Sequence, residues 1–149
     1  MPRFVEASLE VKTRAQGDWT KAPIKDAIKS MLPEYPDVRS QDQMIQEFTF
    51  GTEPSASTQE HRWNGLMVQS KDKLQVAQFY FDNFVFARLK PYESWNHFCA
   101  EALRLWDVHA KLAQPVELER IGLRFINRII LPPNQLNFED YIRPAPSPP

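Results

Sequence analysis

The chain has 149 residues, 42% of them hydrophobic and 25% charged, with 18 basic against 19 acidic side chains and a net charge of −1. That length suits one domain burying roughly 70% of its unfolded surface, and the neutral balance excludes bulk electrostatic attraction to nucleic acid or anionic membrane. The four glycines form no GxGxxG or GxxxxGK[ST] phosphate loop, the single Cys99 excludes an internal disulfide, and no apolar run approaches the ~20 residues of a spanning helix.

Residues 4–12 alternate, with Val5, Ala7, Leu9 and Val11 on one side and Glu6, Ser8, Glu10 and Lys12 on the other. A period of two predicts a strand with one polar face. Gly17-Asp18 is a turn signal. The spacing of Ile24, Ala27, Ile28, Met31 and Leu32 predicts a helix beginning near Pro23, a residue suited to a first helical turn. Pro33 and Pro36 stop it. Residues 38–51 read as a second strand, 52–59 as a polar loop and 61–69 as a third strand. Residues 70–73 predict a hairpin turn into a fourth strand over 74–81. That strand is apolar on both faces, which places it centrally in a sheet. Asp82-Asn83 reads as a second turn whose residues tolerate positive φ, and 84–89 as a fifth strand.

A second helix follows Pro91. Trp95, Phe98, Ala102, Leu105, Trp106 and His109 recur at three- and four-residue intervals, with Ser94 as N-cap and Gln114-Pro115 as the stop. Residues 117–131 form the last strand, ended by Pro132-Pro133. The order β-α-β-β-β-β-α-β predicts an α+β two-layer sandwich: a mostly antiparallel sheet with two amphipathic helices on one face. A single domain is expected over 1–142, with a proline-rich tail at 143–149.

On the last strand Arg120, Arg124 and Arg128 share a face at ~13 Å intervals. The opposite face, carrying Ile121, Leu123, Phe125, Ile129 and Leu131, reads as a core face interrupted by Asn127. Two readings of the arginines compete. They pair with carboxylates on a neighbouring strand, where Glu6 and Glu10 have matching spacing, or they form an anion site for phosphate or carboxylate.

Other chemistry is sparse. His61, His97 and His109 form no metal-ligand pair, so no metal and no cofactor is expected. His109 lies on the apolar stripe of its helix, the place of a hydrogen-bonded core histidine. His97 points to a different side of the helix from Cys99, which leaves that thiol without a base and inert. The aromatics between residues 79 and 106 read mostly as core. Beside Arg88 and Lys90 they also suggest a base-stacking surface.

Three segments carry a family resemblance. The opening PRFVEASLEVK, the run with Phe84, Phe86, Arg88, Leu89, Pro91, Tyr92 and Trp95 (FxFxRLxPYxxW), and RIGLRFINRI from Arg120 resemble a sporadically distributed family of uncharacterised prokaryotic proteins; Glu34-Tyr35-Pro36 is similar to another of its elements. Members of that family continue beyond the equivalent of Pro149, so the resemblance implies a short form or a piece of a longer chain. It implies no activity, cofactor or catalytic residue, and its scattered distribution implies mobile genes in defence or toxin-antitoxin neighbourhoods. The expectation is a cytoplasmic binding or interaction protein without catalysis, working as a homodimer or with a protein partner and without a membrane. The alternatives are an enzyme acting on nucleotides or nucleic acid through the arginines, and a small-molecule sensor with an aromatic-lined cavity.

Overall fold

A computed structural model describes residues 3–47, 58–89 and 92–128. It contains β1 (Arg3–Ala15), α1 (Lys21–Met31), β2 (Asp37–Glu47), β3 (Thr58–Gln69), β4 (Gln75–Tyr80), β5 (Asn83–Arg88), α2 (Trp95–Ala113) and β6 (Pro115–Arg128). The strands form one six-stranded sheet in the order β2-β3-β4-β5-β1-β6, antiparallel at every step. This is the predicted α+β sandwich. Expected strand residues 48–51 and 129–131, residues 52–57 of the expected polar loop and the proline-rich tail lie outside the described residues; Thr58 and Gln59, expected in that loop, instead open β3 because they pair with Glu47 and Gln46 of β2.

Local chemistry accounts for the joints. In the hairpin between β3 and β4, Lys73 adopts a left-handed φ of 61°. The Ser70 hydroxyl donates to Asp72 at 2.6 Å, and the Gln75 N–H donates back to the Ser70 oxygen at 3.0 Å. Asp82-Asn83 departs from expectation. Asn83 already belongs to β5, and neither residue has positive φ. The bend falls on Phe81 and Asp82 because Phe79 and Phe84 pair across it and hold the register. Helix α1 starts at Lys21, two residues before Pro23. Helix α2 starts after Ser94, whose oxygen accepts the His97 N–H at 3.3 Å.

Both helices lie on the same face of the sheet. Ile24 and Ile28 of α1 and Phe98, Ala102, Leu105 and Val108 of α2 meet Ala7, Val11, Leu66, Val68, Ala77, Phe79, Phe84 and Phe86 in one buried cluster. α2 lies over β5 and β1, and α1 over β3. Gly17 passes so close to the end of α2 that a Cβ there would lie 2.5 Å from the Leu112 carbonyl oxygen. Its N–H instead caps the Ala113 carbonyl at 2.8 Å.

Candidate functional site

β6 is the edge strand beyond β1. Its register with β1 sets Ile121 opposite Val11, Leu123 opposite Leu9 and Phe125 opposite Ala7, on the helix side of the sheet. The expected core face is corrected here: among the described residues α1 and α2 pack over β3, β5 and β1, and this face of β6 stays exposed. Leu118 is 56% exposed, Ile121 64%, Leu123 46% and Phe125 37%. Phe125 meets Tyr92 edge-on at 5.8 Å. Ile129 and Leu131 lie outside the described residues.

Arg120, Arg124 and Arg128 do share the other face, with Gly122 and Ile126 between them. Arg120 donates to Glu10 Oε2 at 2.7 Å, and Asn83 holds the other oxygen of that carboxylate at 3.1 Å. This is the carboxylate pairing anticipated from the strand spacing. Arg124 and Arg128 are exposed and make no ion pair among the described residues. Farther along, Arg14 pairs with Glu117 at 2.5 Å. β6 is therefore acidic towards its start, at Glu117 and Glu119, and basic from Arg120 onward.

A second polar assembly sits where the first turns of α2 meet β4 and β5. A cleft of about 370 Å³ is walled by Phe86, Tyr92 and Phe98 and edged by Arg88, His97 and Arg104. Beneath it the buried Tyr35 hydroxyl lies 2.8 Å from both Gln75 Oε1 and Glu101 Oε1. Its single proton goes to the carboxylate, the stronger acceptor. Burial and that bond push the phenol far above its ordinary pKa. Arg104 clamps Glu101 with two hydrogen bonds, at 2.7 and 2.9 Å, and also pairs with Glu34. The clamp and the Tyr35 bond outweigh burial and hold the Glu101 carboxyl below its ordinary value. Every charge in this cluster has a partner, as a structural brace requires. Residues far apart in the sequence converge here: Glu34 and Tyr35; Phe86, Arg88, Tyr92 and Trp95; and Phe125 through Tyr92.

His109 is the core histidine its helical position predicts. It is fully buried among Trp106, Phe84, Trp19 and Phe79, with ring centroids 5.3 to 6.2 Å away. Nε2 lies 2.7 Å from the Tyr80 carbonyl oxygen. A carbonyl can only accept, so Nε2 carries a proton. Nδ1 has no hydrogen-bond partner among the described residues. Burial lowers the imidazole pKa. Among the described residues no group of histidine, cysteine and carboxylate side chains could hold a metal, and no helix is long and apolar enough to cross a membrane.

The pairing of Tyr35 with Glu101 joins positions 66 residues apart and has no local signature in the sequence. The exposed row on β6 did have a signal: there are six strands and only two helices to cover them. Comparison with family models, with curated proteins and with solved structures finds no match to this chain.

Proposed function

We propose that this chain is a binding protein that associates with a protein partner through the β6 edge. The observation that carries this reading is the exposed row Leu118, Ile121, Leu123 and Phe125 on a strand with one neighbour among the described residues. An edge strand offers unpaired N–H and C=O groups, and natural sheets usually blunt such edges with charge, proline or a covering element. On the helix side of β6 the central residues are aliphatic and aromatic instead. Strand addition uses main-chain hydrogen bonds for affinity and alternate side chains for selectivity, and β6 supplies both. A reducing, cytoplasmic setting suits the single free thiol, Cys99.

Sedimentation of a fluorescently tagged chain, alone and in cell extract, tests the reading. The parent protein is expected to sediment faster than a monomer in at least one setting. Leu123→Lys is expected to sediment as a monomer in both while unfolding at the parent's temperature. A parent protein that is monomeric alone and in extract ends the proposal.

A further inference from the structure

We propose that the partner on β6 is a second copy of this chain, paired antiparallel, β6 to β6, with the two-fold axis at Leu123. The inference rests on the reading of β6 as an interaction edge and adds the occupant and the register.

Charge order along the strand favours a second copy. Glu117 and Glu119 precede Arg120, Arg124 and Arg128, so an antiparallel copy sets the acidic start of one strand beside the basic end of the other. Among two-folds at the middle of the strand, residues 121 to 124, the register follows by elimination. A two-fold at Gly122 places Arg120 directly opposite Arg124 of the other copy. One at Arg124 places that arginine opposite itself. Like charges directly opposite one another are destabilising in a sheet. With both shifts of the β1 register carried across, at Lys12/Thr13 and at Arg14/Ala15, a two-fold at Ile121 sets Phe125 against Pro115, which has no N–H to share, and leaves Arg128 beyond the overlap.

A two-fold at Leu123 satisfies both faces. On the helix side Leu123 meets Leu123, and Ile121 meets Phe125, joining the exposed apolar rows. On the other side Arg124 lies opposite Gly122. That glycine leaves open space: a Cβ placed there would meet only Glu10, with Oε2 at 3.7 Å. The Arg124 side chain can cross the bare glycine and reach the Glu10 carboxylate of the other copy. The register of β1 with β6 shifts between Lys12 and Thr13, so that Thr13 faces Leu118 and Glu119 is an extra residue in β6. Carried across the new pair, this shift puts Glu117 opposite Arg128. The two arginines without an ion pair among the described residues thus each gain a carboxylate.

The test uses the purified chain. In sedimentation equilibrium it is expected to dimerise, with Leu123→Lys weakening the association at least about 30-fold. In a Cys99→Ser background, Leu123→Cys is expected to form an inter-chain disulfide, because residues directly opposite have Cβ atoms about 4.5–5.5 Å apart. Ile121→Cys in the same background is expected not to, because the two copies of residue 121 lie ~13 Å apart along the strands. A purified chain that stays monomeric overturns the inference. So does a dimer that cross-links through residue 121 and not 123, or one indifferent to Leu123→Lys. A chain that is monomeric alone but sediments faster in extract, with that shift lost in Leu123→Lys, overturns the second copy and leaves the edge reading standing.

Discussion

The middle of the sheet and its β6 edge have similar apolar alternation and opposite fates. Phe79 on β4 and Phe84 and Phe86 on β5 are fully buried beneath the helix layer. Ile121 and Leu123 on β6, with Phe125 beside them and its ring against Tyr92, point to the same side of the sheet and stay exposed. Side-chain pattern decides which way a residue points; the helices above decide whether that direction is dry. A helix with its side chains is about 10–12 Å across, and strands are about 4.8 Å apart. Two helices therefore cover about four strands, and a sheet of six has bare margins.

Truncation should separate the two regions most sharply. Phe84→Ala, which removes a fully buried ring touching Phe79, Trp106 and His109, is expected to cost about 3–5 kcal/mol in urea unfolding. A loss below about 1 kcal/mol would mean that the centre of the sheet is no better covered than its edge.

The second expectation concerns acid. Burial depresses the pKa of His109 in the folded state below the 6.5 of the unfolded chain. The unfolded chain therefore binds the proton first, and stability falls as pH drops below 6.5 until the lower folded value is passed. Urea midpoints measured from pH 8 to 5 should decline in that window, and His109→Gln should remove the decline. An unchanged slope in that variant would place the acid sensitivity elsewhere.

The smallest effect belongs to the margin. Leu123→Ala, at concentrations where the chain is monomeric, is expected to lower unfolding stability by about 1 kcal/mol or less, since half the side chain is already in water. A loss near that of Phe84→Ala would mean that β6 is covered in solution, and the contrast would collapse.

Much of this fold was legible in the residues. The two-sided apolar pattern of β4 implied its central place, Ser94 announced the start of α2, and the helical position of His109 implied a buried, hydrogen-bonded ring. The arginine spacing implied their shared face and, as one of two readings, pairing with Glu6 and Glu10; among the described residues Arg120 and Glu10 make that pair. What stayed hidden depends on assembly. Nothing local to Tyr35 signals Glu101 or Gln75, because these groups meet only after α1, α2 and β4 have docked. The exposure of Ile121 and Leu123 likewise depends on the width of the helix layer, a property of the whole chain. The helix count hinted at it; the alternation on β6, taken alone, suggested a core.

The place of β1 has a consequence for how the chain is made. It is made before both of its sheet neighbours, β5 and β6, which come from the second half of the sequence. Glu10 must wait for Arg120, synthesised 110 residues later. At translation rates of about 5–20 residues per second, that delay is on the order of 5–20 s. Until β5 is made the nascent Ala7, Leu9 and Val11 have no partner strand, and β6 completes their pairing later still, so β1 is a segment that depends on chaperone shelter during synthesis.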